Sequence, residues 1–252
     1  KGNNINLQDT MRTTKIEWTE RTWNPVTGCT KQSPGCAHCY AETMARRLHA
    51  MGLKKYSNGF EPTLHPESLD EPLAWKKGSS IFVCSMSDLF HPNVPFEFID
   101  KVIATIEATP QHRYQLLTKR AERMAEYFST REVPVNAWLG VTVECRQVLS
   151  RIDALRSIED ATVRFLSCEP LLEDLGDFDL TGIQWMIVGG ESGPNARPMH
   201  EQWVLNLRQL AKRHRVSFFF KQWGTWGRDG VKRSKHANGK KLEGKVVQQM
   251  PR

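Results

Sequence analysis

Three cysteines lie within eleven residues in the first part of the chain, at Cys29, Cys36 and Cys39. Pro34 and Gly35 lie in this segment and Gly28 directly precedes it, and these residue types let a loop turn tightly around a bound object. Three thiolates would leave one iron of a four-iron cluster without a protein ligand. That iron can chelate the amino and carboxylate groups of S-adenosylmethionine and pass an electron to its sulfonium. The three clustered thiols therefore predict a 4Fe-4S site.

Two other uses of these thiols remain open at this point. The three cysteines could bind structural zinc with His38 as a fourth ligand, or they could be free. Structural zinc normally takes two pairs of ligands, whereas the loop holds a single Cys-x-x-Cys pair. The remaining cysteines are interpreted as buried small hydrophobic residues rather than as ligands of a second cluster; they are Cys84, Cys145 and Cys168.

Composition favours anionic partners and excludes a membrane span. The 35 basic and 28 acidic residues give a net charge of +7, which leaves nucleic acid, a phosphorylated small molecule and an acidic protein open. No segment approaches the roughly 20 apolar residues of a membrane helix. The first residues are polar and lack the apolar core of a secretory signal. We expect a cytoplasmic protein whose residues 1–13 are a disordered extension or the remnant of an expression tag.

Short apolar runs that recur along the chain predict the strands that must position the loop. Such nearly continuous runs are typical of strands buried on both faces of a parallel sheet. Six are clear and a seventh, Trp23–Thr27, is weaker; the six are Ile81–Ser85, Tyr114–Leu117, Trp138–Val143, Val163–Ser167, Gln184–Val188 and Val216–Phe220.

Amphipathic segments alternate with these runs and predict helices. One apolar face runs through Tyr40, Met44 and Leu48, directly after the cysteines, and others lie at 98–106, 145–158 and 203–210. Alternation of strand and helix predicts right-handed βαβ units. We expect an α/β fold, a parallel (β/α) partial TIM-type barrel of six or seven strands over 14–225, with a basic extension over 226–252. An open doubly wound sheet is the alternative.

Polar residues follow each predicted strand. In parallel α/β folds the carboxyl ends of the strands meet at one rim, where active sites lie. Six such endings predict a single polar pocket; they are Ser85 with Asp88, Lys119 with Arg120, Thr142 with Glu144, Ser167 with Glu169, Gly190 with Glu191, and Lys221 with Gln222.

Several motifs together with the cysteine loop resemble a known family. They are SMSDLFHP at 85–92, LTKR at 117–120, LGVTVE at 139–144, LSCEP at 166–170, GGESG at 189–193, ARP at 196–198 and FKQWG at 220–224. From residue 14 onward the chain resembles the phage-associated three-Cys-motif family, which is related to the radical S-adenosylmethionine superfamily and distantly resembles spore photoproduct lyase. The sequence departs from the superfamily in one respect, because six residues rather than three separate Cys29 from Cys36.

The resemblance implies a role for each rim residue. It implies that His38, with Tyr40 beside it, lies near the adenine, and that Ser85, Ser87 and Asp88 recognise the methionyl amino group. Thr142 and Glu144 would hold the ribose hydroxyls, and Ser167 and Glu169 would complete that site or face the substrate, as would Gly190 and Glu191 at the rim. The expected substrate contacts are Lys119, Arg120, Arg197 and Lys221.

The leading interpretation is an enzyme that reductively cleaves S-adenosylmethionine to a 5′-deoxyadenosyl radical, with an external electron donor and a nucleic acid or nucleobase among the candidate substrates. One alternative is a nucleic-acid-binding protein with a structural metal, in which Trp223 and Trp226 form a stacking surface beside the basic tail and Asn238-Gly239 forms a hairpin turn. Another is a subunit that acts with a separate partner protein. No nucleophile elbow, His-x-x-x-His pattern or phosphate loop favours a hydrolase.

Overall fold

The computed structural model describes residues 14–251. The extension predicted over 1–13 lies outside the described residues. In the part that is described, no helix is long and apolar enough to cross a bilayer.

A seven-stranded parallel sheet curls into a half-barrel and organises residues 14–251. Its strands pair in chain order without a reversal, and that order excludes the doubly wound alternative, in which the strand order reverses at a switch point. The predicted partial barrel is therefore confirmed. In order, the strands are β1 (Arg21–Trp23), β4 (Ser80–Val83), β5 (Arg113–Thr118), β6 (Ala137–Thr142), β7 (Val163–Cys168), β8 (Trp185–Gly189) and β9 (Ser217–Gln222).

Helices connect most of these strands, and short strands and 3-10 turns complete the chain. The α-helices are α1 (Tyr40–Ala50), α2 (Phe96–Glu107), α3 (Ala121–Phe128), α4 (Arg151–Arg156), α5 (Glu201–Arg213) and α6 (Lys235–Asn238). Two small antiparallel pairs are β2 (Val26–Thr27) with β3 (Thr63–Leu64), and β10 (Lys241–Leu242) with β11 (Lys245–Val246). The 3-10 turns are Pro34–Cys36, Lys54–Tyr56, Pro66–Ser68, Glu71–Ala74 and Arg146–Val148.

The two faces of the sheet bury different side chains. Alternate strand residues, such as Leu166 and Met186, pack against helix residues in the large outer core. The residues between them form an aromatic plug inside the half-barrel, comprising Trp18, Trp138, Phe165, Trp185, Ile187 and Phe219. The aromatic plug fills the lower part of the barrel and leaves its upper, carboxyl-end rim to polar residues.

Two sequence predictions need correction near the cysteines. The strand predicted at Trp23–Thr27 is split, since only its first residue belongs to the main sheet and Val26–Thr27 pairs with β3. The helix after Cys39 forms as predicted, but of its predicted apolar face only Leu48 joins the packed side. Ala41 and Ala45 are buried, whereas Tyr40 and Met44 are 55% and 39% exposed. Small alanines let α1 lie close against the barrel, and an apolar count does not detect such a face.

The basic segment after residue 225 packs on the open edge of the barrel. Val247 and Gln249 hydrogen-bond with β9, and Leu242 lies in the outer core. The hairpin predicted at Asn238-Gly239 is instead the end of α6, and the observed hairpin joins β10 to β11 through Glu243 and Gly244, both with positive φ.

Trp223 does not form the predicted stacking surface. Its ring is 2% exposed and packs on Phe220, while its Nε1–H donates to the Lys241 carbonyl at 3.0 Å. A buried indole anchored at both ends is a core residue and presents no face on which a base could stack.

Candidate active site at the barrel rim

The cysteine loop (residues 29–39) crosses the carboxyl-end rim of the half-barrel. It starts after β2 at Gly28, which has a φ of +80° and leaves no room for a Cβ, because that atom would lie 2.2 Å from the Glu61 carbonyl oxygen. The loop makes a 3-10 turn at Pro34–Cys36 and ends where Cys39 caps α1. All three cysteines are free and partly exposed. The fold thus presents the three predicted thiols together on one loop at the rim.

Two of the three sulfurs accept hydrogen bonds. The backbone N–H of Gln32 points to Cys36 Sγ at 3.5 Å, and Arg120 Nη1 points to Cys29 Sγ at 3.6 Å. Burial, with a smaller contribution from Asp88, raises the pKa of Cys29 to about 11 despite the opposing effect of Arg120. A bound metal overrides such a shift, because a coordinating thiol loses its proton outright.

Within residues 14–251, no three His, Cys, Asp or Glu side chains are placed to share one metal ion. Thiolates that share one zinc ion lie about 3.8 Å apart, since each Zn–S distance is about 2.3 Å in tetrahedral geometry. The thiolates of a four-iron cluster each bind a different iron, so their sulfur atoms lie farther apart than those that share one zinc ion. The iron–sulfur site therefore stays a prediction. Cys84, Cys145 and Cys168 are buried, as expected for small hydrophobic residues.

Asp88 and Arg120 form the first of three carboxylate–arginine pairs that reach the cysteine loop. Asp88 accepts from Arg120 Nη1 at 3.1 Å, from the Thr118 hydroxyl at 2.7 Å and from two backbone N–H groups. Arg120 also donates to the carbonyl and the hydroxyl of Thr30, at 3.1 and 3.0 Å. Both members of the pair are buried. This pair joins the ends of β4 and β5 to the start of the loop.

Glu144 and Arg151 form the second pair and reach the middle of the loop. Glu144 is fully buried; one oxygen accepts from the Ser33 hydroxyl and from the Gly35 N–H, and the other accepts from Arg151 Nη1 at 3.0 Å. A Cβ at Gly35 would lie 2.9 Å from the Glu144 side chain. The glycine therefore lets the loop backbone approach the carboxylate.

Glu191 and Arg197 form the third pair and reach the last part of the loop. Arg197 donates to Glu191 through its backbone N–H at 2.8 Å and through Nε and Nη2 at 2.9 and 2.6 Å, and its Nη1 donates to the Pro34 carbonyl at 3.1 Å. His38 Nδ1 lies 3.2 Å from the same carboxylate. Burial by itself raises the pKa of Glu191, but the hydrogen bonds from Arg197 and His38 outweigh it and leave the pKa lowered.

The three pairs give the predicted rim carboxylates a different position from the one that the sequence alone suggests. Glu144 and Glu191 contact the cysteine loop directly, whereas Asp88 reaches it through Arg120, and all three carboxylates accept from arginine and from backbone donors. The structure brings together most of the predicted residues, but it divides them into these loop-holding pairs and a second group on the inner face of the half-barrel.

Glu169 and Lys221 belong to the inner group and form an ion pair that does not touch the loop. Lys221 Nζ donates to both Glu169 oxygens, at 2.8 and 2.9 Å, and the two side chains are about one-fifth exposed. Ser167 and Thr142 lie on the same inner face by strand alternation. The glycine at position 189 leaves space for Glu169. A Cβ added at Gly189 would lie 3.1 Å from the carboxyl carbon of Glu169.

The remaining predicted residues have structural partners. Ser85 donates to the Asn24 side-chain oxygen at 3.2 Å, Ser87 donates to the Val26 carbonyl at 2.8 Å, and the Tyr40 hydroxyl donates to the Ser85 carbonyl at 2.8 Å. Gly190 packs against backbone, because a Cβ there would lie 1.9 Å from the Trp223 carbonyl oxygen. Lys119 lines a cavity of about 220 Å³ between the cysteine loop and the starts of α3 and α4.

The family described as "Protein of unknown function (DUF5131)" matches residues 13–251. The chain belongs to that family. No curated protein matches the chain.

Solved structures of spore photoproduct lyase share the fold of this family member. A tyrosine-to-phenylalanine variant of that lyase aligns with a TM-score of 0.50 and 16% identity, over 91% of this chain and 74% of its own. The complex with dinucleoside spore photoproduct aligns with a TM-score of 0.49 and 14% identity, and the chain spans 65% of its length. At this identity the likeness shows a common half-barrel architecture.

Sequence reasoning missed Asn24, Ser33, His91 and Arg151. Two of them lie inside motifs that the sequence displays: Ser33 is in the cysteine loop, and His91, whose Nε2 lies 2.8 Å from the Thr30 hydroxyl, follows β4. The role of Arg151 could not be predicted from the sequence, because a basic residue in an amphipathic segment is normally exposed. In the structure Arg151 is only 5% exposed.

Proposed function

We propose that the chain is a radical S-adenosylmethionine enzyme of the three-Cys-motif type. Cys29, Cys36 and Cys39 would hold a 4Fe-4S cluster, and S-adenosylmethionine would bind on the inner face of the half-barrel beside it. The observation that carries the proposal is the position of the cysteine loop, which three carboxylate–arginine pairs, each with a buried carboxylate, hold across the carboxyl-end rim. Active sites of parallel α/β barrels lie at that rim.

The donor set supports the fit of such a cluster. Three thiols on one loop give the ligand count, and hydrogen bonds to sulfur, as at Cys36 and Cys29, tune iron–sulfur centres. When bound, a four-iron cluster with three cysteine ligands supplies an open coordination position for the amino acid part of S-adenosylmethionine and an electron for its sulfonium.

Glu169 and Lys221 are the residues that we assign to the amino acid part of S-adenosylmethionine. A methionyl group carries an ammonium and a carboxylate. Its ammonium can pair with Glu169 and its carboxylate with Lys221, so two intermolecular ion pairs replace the one between these side chains. Both side chains are partly exposed and are free of the loop. Ser167 and Thr142, on the same inner face, offer hydroxyls for the ribose.

The aromatic plug supports radical chemistry by excluding water. Trp185 and Phe165 are fully buried beneath the rim, and the ring of Trp18 packs on Phe82 at 4.7 Å. A reactive intermediate at the rim would meet hydrocarbon rather than solvent from below. Closed, dry sites prevent the side reactions that quench such species.

An anionic substrate fits the charge of the chain best, and we propose nucleic acid or a nucleobase. The net charge of +7 supports this class. Electrostatic attraction of this kind is sensitive to salt, so binding of a single-stranded oligonucleotide that weakens steeply as salt rises would support it. Binding that is insensitive to salt would contradict it.

Cleavage of S-adenosylmethionine tests the proposal. The chain is purified without oxygen, reconstituted with iron and sulfide, and incubated with dithionite and S-adenosylmethionine. Chromatography should then show 5′-deoxyadenosine, and Cys36→Ala should abolish it. Reconstituted protein that holds iron and sulfide but forms no 5′-deoxyadenosine would contradict the proposed reaction.

Lys221→Met tests the assignment of the inner ion pair, and Lys101→Met, an exposed lysine on α2, is its matched control. A hydrogen bond to a charged group contributes about 1.5–3 kcal/mol, so affinity for S-adenosylmethionine should fall roughly 10- to 150-fold. Equal affinity in Lys221→Met and the control would contradict the assignment.

A further inference from the structure

Almost all of the net positive charge of the chain lies in its last 27 residues. Residues 226–252 contain eight basic and two acidic residues, a net charge of +6, whereas the other 225 residues together carry +1. A surplus that is confined to one segment gives a local field, which raises the concentration of anions beside that segment. The attraction for an anionic substrate therefore has a definite source within the chain.

This segment is folded against the carboxyl-end rim of the half-barrel. Residues 224–246, the basic flank, begin at Gly224, whose φ of +83° brings it so close to Glu191 that a Cβ would lie 2.3 Å from the Glu191 carbonyl oxygen. The Thr225 N–H donates to that carbonyl at 2.9 Å, and the Gly193 N–H donates to the Thr225 hydroxyl at 2.9 Å. The flank is thus attached to the loop after β8, which carries the third carboxylate–arginine pair.

Lys232 is held in place where the flank meets this loop. Its Nζ donates to the Pro194 carbonyl at 2.6 Å and lies 5.6 Å from the centre of the Trp226 ring, which attracts a cation over its face. Trp226 is itself fixed, because its Nε1–H donates to the Ala196 carbonyl at 2.6 Å. A lysine that is already ordered loses less side-chain entropy when it binds an anion, so Lys232 is better prepared for binding than a freely solvated lysine.

Three further lysines of the flank are exposed and free of acidic side chains. Within residues 14–251, Lys235, Lys241 and Lys245 form no ion pair, and neither does Lys232. Each of the rim carboxylates, by contrast, has a basic partner, so the charges of those pairs cancel. The flank therefore places uncompensated positive charge beside a rim whose own carboxylates are neutralised.

A surface of this composition fits phosphate groups better than it fits a protein. Protein–protein interfaces have apolar centres and are depleted in lysine. The large apolar side chains exposed in the flank are Val231 and Val246, which lie fifteen residues apart in the sequence. Lysine ammonium groups do bind the phosphates of nucleic acids, where they replace condensed counterions.

We propose that the basic flank binds the phosphate backbone of a single-stranded nucleic acid and so brings one of its nucleotides to the rim. The inference rests on the proposed function, for which it names the surface that holds the substrate. A base that is to react at the rim must leave its stack, and leaving costs least in a strand that is already unpaired.

The salt dependence of oligonucleotide binding tests this surface without any reaction. The full chain is titrated into a labelled single strand of about 12 nucleotides, and anisotropy is followed from about 50 to 200 mM salt. Each phosphate contact with a single strand contributes about 0.7 to the slope of log affinity against log salt. The double variant Lys232→Gln/Lys235→Gln should therefore reduce the magnitude of the slope by about 1.4 and weaken binding at low salt.

Lys77→Gln/Lys101→Gln is the matched control, because it removes the same charge from exposed lysines that precede β4 and lie on α2. The control should keep the slope of the wild type. Equal slopes in the two double variants would overturn the proposal. Tighter binding of a duplex than of the single strand would also overturn it, as would polyglutamate that binds as tightly as the single strand and is lost in the flank variant, since the occupant would then be an acidic protein.

Assays of 5′-deoxyadenosine separate this inference from the proposed function. Wild-type chain that forms 5′-deoxyadenosine but binds the oligonucleotide equally in both double variants would refute the flank and leave the proposed reaction standing. A slope that depends on the flank lysines, in a chain that forms no 5′-deoxyadenosine after reconstitution, would refute the reaction and support the flank as the surface that binds the strand.

Discussion

Ser33 offers a way to loosen the cysteine loop without touching a thiol or a buried charge. Its hydroxyl donates to Glu144, the fully buried carboxylate that also accepts from the Gly35 N–H and from Arg151. Ser33→Ala removes this contact alone. Glu144 keeps its ion pair with Arg151, so the barrel beneath the loop should remain folded.

The expected magnitude follows from the charge of the acceptor. A hydrogen bond to an ionised group contributes about 1.5–3 kcal/mol, which corresponds to a roughly 10- to 150-fold change in an equilibrium constant. Within residues 14–251, the Ser33 side chain makes one hydrogen bond, and its acceptor is Glu144. The free energy of that bond therefore opposes opening of the loop rather than global unfolding.

Hydrogen exchange of the metal-free chain measures this opening directly. Backbone amides of the cysteine loop should exchange roughly 10- to 150-fold faster in Ser33→Ala, since exchange follows the local opening equilibrium. The control is Ser129→Ala, an exposed serine that bonds the Glu126 carbonyl at the end of α3. Loop exchange in Ser33→Ala that matches the wild type would refute the idea that Glu144 holds the loop.

Further predictions concern the aromatic plug and the third carboxylate–arginine pair. Gly140→Ala places a Cβ 2.4 Å from the Phe165 ring, and overpacking should lower the free energy of unfolding by about 1–3 kcal/mol in a denaturant titration, whereas an unchanged midpoint would contradict this. Because the folded pKa of Glu191 is lowered, its stabilising contribution is present above its ordinary pKa of 4.5 and is lost as the pH falls through the folded value. Protection of the loop amides, taken as their exchange relative to the intrinsic rate at each pH, should therefore fall below pH 4.5, and Glu191→Gln should remove this dependence; an identical acid profile in the variant would count against it.

The architecture was predictable because continuous apolar runs indicate strands that are buried on both faces of a sheet. Six of the seven predicted runs became strands of the sheet to within three residues at either end, for example Tyr114–Leu117 within Arg113–Thr118. The alternation of strands with amphipathic segments then left the half-barrel as the leading fold. The convergence of polar residues on one rim followed from parallel strands alone.

The partners of the rim carboxylates were not predictable from the sequence. A polar residue after a strand predicts a place at the rim, but not whether its side chain points inward to a ligand or sideways to the cysteine loop. Glu144 depends on Arg151 in a following helix, and Glu191 depends on Arg197 six residues later. Such pairings arise from tertiary geometry that no local pattern encodes. The packed face of α1 was missed for a related reason, since alanines carry little hydrophobic signal.

The most direct test of the central claim is iron and sulfide analysis with electron paramagnetic resonance on the anaerobically reconstituted chain, with and without S-adenosylmethionine. The account predicts about four irons per chain, lost in each of Cys29→Ala, Cys36→Ala and Cys39→Ala, and a reduced signal that changes when S-adenosylmethionine is added. Cys84→Ala, at a buried cysteine away from the loop, should keep its iron and serves as the control. Stoichiometric zinc, or no metal after reconstitution, would contradict the account.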